Sequence, residues 1–329
     1  MTFPTGWDGP RYFAAQLAPE TVRTDWTAPV ARAGIVPPRP LQLGDILGGA
    51  FRAVRFAPLT MFGLTLVTLM VAQLVGLGLG FVLGRQFGTS FVPFDDPDVE
   101  ASTLFSWSTL TGTLVNSLTG IVVGMGLMYA VFEAVSGRRV SPREALRHMA
   151  SRLAPALGFS ALVGLAVGGV AALAIAAIAP LFNSESSERG VLLLLLVVVL
   201  AGVLGAWLGT RLLLAPCAIA IERLGPLRAI ARSWVLSRGM FWRLFGIYAL
   251  SSVIISLAAS TVSSVFSFGG LLLAVQDEGV ALVVMSTASS LVSTVLTLPL
   301  TSAITTLLYV DARIRGEGYD LQLSEALYG

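Results

Sequence analysis

The sequence predicts an all-α membrane protein: six transmembrane helices in three hairpins, each led in by an amphipathic helix on the cytoplasmic surface. Three observations predict it. Six apolar runs have spanning length, the basic content of the loops alternates from side to side, and a basic amphipathic lead-in recurs three times. The composition agrees: 55% hydrophobic and 12% charged residues, with a mean hydropathy of +0.82. A soluble domain carries about 25% charged residues. All 21 basic residues are arginine, which suggests a GC-rich genome such as that of an actinobacterium.

Residues 1–40 are rich in Pro, Ala, Thr and Arg and end in "GIVPPRP". They have no helical or strand period and are expected to form a disordered cytoplasmic tail. No apolar run of signal-peptide type precedes residue 58, so the first span is expected to act as the insertion signal. The spans are expected at 58–84, 104–135, 153–182, 190–221, 244–275 and 280–310, each long enough to cross a hydrocarbon core of about 30 Å. The fifth is overlong and carries "SFGG" at 267–270, where a break is expected. The membrane domain is thus read as 41–315, followed by a cytoplasmic tail at 316–329.

Sides follow from arginine, which is enriched in cytoplasmic loops. Residues 136–152 hold Arg138, Arg139, Arg143, Arg147 and Arg152, and residues 222–243 hold Arg223, Arg228, Arg232, Arg238 and Arg243. Arg39, Arg52 and Arg55 precede the first span, and Arg313 and Arg315 follow the last. The intervening loops, 85–103, 183–190 and 276–279, are predominantly acidic. The alternation places both termini in the cytoplasm of a bacterial inner membrane.

The lead-in helices share a pattern. In "LGDILGGAFRAVRFAP" (43–58), Ile46, Leu47, Ala50, Phe51 and Val54 face one way, while Asp45, Arg52 and Arg55 face the other. In "SPREALRHMASRLAP" (141–155), Ser141 and Glu144 have capping-box spacing. Leu146, Met149 and Leu153 form the apolar stripe there, and Arg143 and Arg147 the basic one. In "GPLRAIARSWVLSRGMFWRLFG" (225–246), Pro226 suits the first helical position. Leu227, Ile230 and Trp234 make the stripe, and Arg228 and Arg232 are neighbours at i, i+4. Such helices suit the interface plane, with arginines on anionic head groups and Trp234 and Trp242 in the aromatic belt. "RFAP" (55–58), "RLAP" (152–155) and "RLFG" (243–246) end equivalent lead-ins, so the chain reads as three parallel units. A nucleic-acid partner needs an exposed basic face on a folded domain, which this pattern does not offer.

Within the spans, Gly76, Gly80 and Gly84, Gly120 and Gly124, Gly164 and Gly168, and Gly205 and Gly209 have the spacing that lets helices pack closely. That close packing serves either this bundle or a homo-oligomer. Ser252, Ser256, Ser260, Ser263 and Ser267 share one face of span five, and Ser290, Ser293, Thr297 and Thr301 one face of span six. These hydroxyls either bond back to their own helices or line a polar path. Arg211 lies about ten residues from the inner end of span four, roughly 15 Å deep at 1.5 Å per residue. A charge there needs a partner: either a structural ion pair with Glu133 or Asp311, or an anionic ligand. The lone cysteine, Cys217, reads as a buried inert thiol, and the lone histidine, His148, as a solvated interfacial residue.

No metal-spaced cluster, "GxSxG", phosphate loop or dinucleotide fingerprint occurs; neither catalysis nor a cofactor is expected. Three stretches, "RPLQLGDILGGAFRAVR" (39–55), "GPLRAIARSWVLSRGMFWRLFGI" (225–247) and "LLYVDARIRGEGYDLQL" (307–323), together resemble actinobacterial polytopic membrane proteins similar to the membrane domain of glycerophosphoryl diester phosphodiesterase. The resemblance implies a multi-span module without the catalytic barrel. The expected function is a non-catalytic module that organises or assists a partner protein or lipid process. The alternative is a transporter or channel for a small or lipidic anion, built on Arg211 and the hydroxyl faces.

Overall fold

The computed structural model describes residues 35–36, 40–87, 99–182, 187–274 and 280–318, and every regular element among them is helical. In chain order these are α1 (Leu43–Phe56), α2 (Leu64–Phe87), α3 (Val99–Val135), α4 (Pro142–Ser151) and α5 (Leu153–Phe182). There follow α6 (Ser187–Leu212), α7 (Ala215–Ile221), α8 (Pro226–Leu236), α9 (Phe241–Ala274) and α10 (Val280–Glu317). Six helical stretches are long and apolar enough to cross a membrane, with bounds close to those expected.

Local chemistry accounts for most boundaries. Pro58 ends α1, and a π turn at Leu59–Gly63 leads into α2. Ser141 accepts the Glu144 amide at 3.3 Å, and Pro142 opens α4. The Glu144 carboxylate does not complete the box; it turns to Arg138 instead. Gly225 and Pro226 open α8 as their order predicts. The expected break at "SFGG" is absent, since α9 runs through it to Ala274. The break falls elsewhere, at Leu213–Leu214, just before Pro216 in the first turn of α7. Proline has no N–H for the helical ladder and crowds the preceding turn.

Helices α3 and α10 are the centre of the bundle. Their spanning windows are 56% and 44% buried, against 6–22% for the other four. Helix α2 packs along α3, α9 along α10, and α5 against α6 less extensively. The buried apolar residues concentrate at one end. They come from the last turns of α3 (Leu127, Val131) and α10 (Leu307, Leu308), from α7 (Ile219) and from α1 (Ile46). The core therefore lies at the end that carries the arginines. Lipid tails are as apolar as Leu and give no hydrophobic drive between spans, whereas segments outside the hydrocarbon gain from burying apolar area.

The segment before α1 departs from the expected disordered tail. Ile35, Val36 and Leu41 are buried in this core. A Cβ built on Gly49 of α1 would meet Leu307 Cδ1 at 2.9 Å and Val36 Cγ2 at 3.7 Å. The rest of that tail lies outside the described residues, as do the far ends of the C-terminal tail and the middle of each acidic loop.

Candidate functional site

The arginine-rich end is built from ion pairs that close on themselves. Asp311, with a side chain only 2% exposed, is the most buried of these charges. It accepts from Arg243 at 3.1 Å, from Arg315 at 2.9 Å and from the Leu41 amide at 2.8 Å. Both guanidinia also reach the Leu41 carbonyl. The cluster ties the segment before α1 to α9 and α10, and each buried polar group in it has a partner, as burial requires.

A second network joins α7, α8 and α10. Arg232 binds Glu222 through Nε and Nη2 at 2.9–3.1 Å, and Glu317 through Nη1 at 2.5 Å. The Tyr309 hydroxyl donates to Glu222. These two acids hold the Arg232 proton more firmly than in water. Arg232 is thus an internal clamp, a correction to its expected role on lipid head groups: Glu222 and Glu317 take up its forked donors.

The third network follows α3. Arg138 donates to Glu133 at 2.8 Å, to Glu144 at 2.9 Å and to the Tyr129 hydroxyl at 2.8 Å. His148 stacks on Tyr129 with ring centroids 3.9 Å apart, and its Nε2–H donates to the Ala220 carbonyl at 2.8 Å. It is not the solvated residue expected. Burial pushes its pKa down, and the charges of Arg152 and Arg223 add to the effect.

Arg211 has neither of its expected partners. Glu133 pairs with Arg138, and Asp311 with Arg243 and Arg315. A depth of roughly 15 Å requires a helix continuous to residue 221, and the helix is not continuous. Because α6 ends at Leu212, Arg211 lies in the last turn, beside α8 and the start of α9. Its guanidinium donates to Ser237 at 3.2 Å and lies 5.3 Å from the Trp234 ring and 5.9 Å from Phe241. Those aromatic faces attract the cation without a carboxylate, and its Nε is buried with no acceptor.

The remaining predicted surface residues divide. Arg143, Arg147 and Arg228 are exposed, as is Trp242 at 79%. Trp234 is half-buried, edge-on to Trp207 at 5.4 Å. The predicted stripe of α1 packs on the protein through Ile46, Ala50 and Val54, whereas those of α4 and α8 do so only in part. Helix α8 buries Ala229, Ser233 and Leu236 and exposes Leu227 and Val235; α4 buries Ala145 and Met149 and exposes Leu146; α1 exposes Phe51. Each lead-in is apolar on two sides, one against the core and one free. A single predicted stripe merges the two.

Between α3, α5, α6, α9 and α10 lies a cleft of about 430 Å³, within the size range of small-molecule pockets. No charged residue lines it. The glycines read as close-packing motifs open it instead. A Cβ on Gly120, Gly205 or Gly209 would meet nothing within 4 Å, as would one on Gly164 or Gly168. Gly76 does make a backbone approach, 2.9 Å to Gly112 Cα. The hydroxyls mostly bond to their own helices: Ser252 to Tyr248, Thr297 to Ser293, Thr301 to Thr297 and Thr305 to Thr301. Ser289 crosses from α10 to the Ser263 carbonyl of α9 at 3.1 Å. Cys217 is buried against Met128.

The sequence reading missed the Asp311 clamp and the cleft. The clamp left one sign, the i, i+4 spacing of Asp311 and Arg315. The cleft left none, since glycines that pack and glycines that leave space read alike.

No curated protein and no solved structure matches the chain. One family matches residues 41–312, from the clamped segment before α1 to the end of the core in α10. That match covers most of the sequence, and the chain belongs to this family, described as a domain of unknown function (DUF7847).

Proposed function

We propose that this protein is a non-catalytic module of a bacterial cytoplasmic membrane that organises a partner protein or a lipid process. In this reading the six spans form three hairpins, with the clamped end and both termini in the cytoplasm. Helices α1, α4 and α8 lie on the inner surface. Their free apolar residues, Phe51, Leu146, Leu227 and Val235, enter the interface, and Arg143, Arg147 and Arg228 meet anionic head groups.

The observation that carries the proposal is the division of polarity. Among the described residues, the cleft between the spans is lined by no charged group, while the buried acids at the arginine-rich end are spent on internal pairs. A conduit for anions needs basic or donor groups along its walls. Arg211 faces aromatic rings, and the serine and threonine donors are largely used within their helices. Proteoliposome flux tests this. Chloride and phosphate efflux should match that of empty vesicles, and an Arg211-dependent flux above that level would overturn the proposal in favour of an anion transporter.

A further inference from the structure

Helix α5 joins the cleft to an arginine that lacks an anion. Phe159 and Val163 line the cleft from α5. Arg152 precedes them on the same helical face, at i−7 and i−11, and its carbonyl accepts the first α5 hydrogen bond, from Ala156, at 2.9 Å. Seven residues at 1.5 Å each place Arg152 about 10 Å along the axis from Phe159. Arg152 Nε is buried and has no acceptor. A buried guanidinium nitrogen left unpaired costs free energy that an anion would recover. In the sequence repeat Arg152 occupies the place of Arg243, and Arg243 does hold an anion, Asp311.

A second arginine lies near Arg152. Both Arg152 and Arg223 act on the same His148 ring and disfavour its protonation, against the weaker opposing charge of Glu133, which is itself paired with Arg138. Arg223 is exposed, with a left-handed backbone at φ 59° between α7 and α8. Two residues on, Gly225 opens α8 with no side-chain cap and no acid in the first turn, so its positive end is uncompensated. The α8 start rests on α5: a Cβ on Gly158 would meet Pro226 Cγ at 3.1 Å. Arg152 thus shares a face of α5 with the cleft residues Phe159 and Val163, and the α8 start meets α5 on the neighbouring face, at Gly158.

We propose that this surface binds one anionic glycerophospholipid, its phosphodiester on Arg152 and Arg223 and an acyl chain in the cleft beside Phe159, Gly205 and Gly209. The site explains the two features that the bundle alone does not: a buried guanidinium Nε with no acceptor, and glycine faces that meet no neighbour. It rests on the membrane placement proposed above but not on the absence of transport, so a positive flux assay would leave it standing.

The test is native mass spectrometry of the full chain from nanodiscs of equal phosphatidylglycerol and phosphatidylcholine, with circular dichroism and gel filtration to verify folding. The wild type should retain one phosphatidylglycerol per chain, about tenfold over phosphatidylcholine. R152Q/R223Q should lose the preference yet still retain a lipid. Gly209→Leu, which fills open space, should lose both lipids. Equal retention of the two lipids by the wild type would overturn the site, as would a preference untouched by R152Q/R223Q. Millimolar inorganic phosphate separates a lipid from a free anion. If phosphate raises Tm as much as phosphatidylglycerol does, and Gly209→Leu keeps its lipid, the ligand is the free anion and the chain site is wrong. A partner helix or second copy filling the cleft would appear as a chain adduct lost in Gly209→Leu, and that too would overturn the lipid.

Discussion

At the scale of single residues, His148 and Arg211 show how far a side chain's type predicts its surroundings. His148 is the one histidine in the chain, so a stability change between about pH 7 and 5, around the usual imidazole pKa, can be assigned to it. Its folded pKa lies below the ordinary value, chiefly through burial. The neutral ring is thus the folded form, so its contribution is complete above the unfolded pKa and is lost as pH falls through the folded one. Thermal unfolding in detergent should show Tm falling with pH in that window for the wild type, and a flatter profile for His148→Phe. An equal slope in both would count against the assignment. Arg211 gives the complementary case. Removing one member of a buried ion pair costs about 3–5 kcal/mol. Arg211→Leu loses two cation–π contacts and one hydrogen bond, and also removes a buried donor with no acceptor. It should cost about 1 kcal/mol or less, and a Tm loss of ion-pair size would refute the aromatic assignment. The sequence showed that Arg211 was out of place in an apolar run. It did not show the remedy, because Trp234 and Phe241 approach from separate helices.

At the scale of elements, boundaries were legible where a proline, a cap or a glycine set them, as at Ser141–Pro142 and Gly225–Pro226. The face that α4 and α8 turn to the core was not, although that of α1 was. A helix apolar on two sides gives one broad stripe, and only the position of Leu307, Ile219 and their neighbours selects Ala50 over Phe51, or Ala229 over Leu227. Residues 35–40 of the segment before α1 read as tail, because a short stretch has no period to detect, and Leu41 reads as the start of the membrane domain. Its anchoring makes a specific prediction. Asp311→Asn leaves Arg243 and Arg315 without their carboxylate, although each side chain is about a third exposed. Partial solvation should hold the cost to about 2–3 kcal/mol, below that of a fully buried pair. Limited proteolysis at the N-terminal side of Leu41 should accelerate in that variant, and an unchanged cleavage rate would mean that the clamp does not hold the segment. Close packing at Gly76 is testable in the same way: Gly76→Leu would drive its side chain into the Gly112 backbone and part α2 from α3, whereas Gly205→Leu has room. The Gly76 variant should be the less stable by about 1–3 kcal/mol in chemical denaturation.

At the scale of the molecule, the six spans were legible from length and hydropathy, because the bilayer imposes both. The uneven distribution of the core was not. Most of the six apolar helices expose apolar side chains on the outside of the bundle, and sequence does not separate an outward-facing Leu from a buried one. The structure sets a tight end, where α1, α7, α8 and the last turns of α3 and α10 interlock, against a loosely packed pair, α5 and α6, whose windows are 17% and 6% buried. Stability should follow that asymmetry, since local opening costs least where few buried contacts must be broken. In detergent micelles, amide exchange should be slowest in residues 123–135, 215–220 and 303–312. It should be measurably faster in the described parts of α5 and α6, although these amides too are helical. Adding phosphatidylglycerol should slow α5 and α6 selectively if their cleft is what the lipid fills, because a ligand stabilises the elements it bridges. Uniform protection across all six spans would mean that the bundle opens as one unit, and that the loosely packed pair is as firmly held as the core.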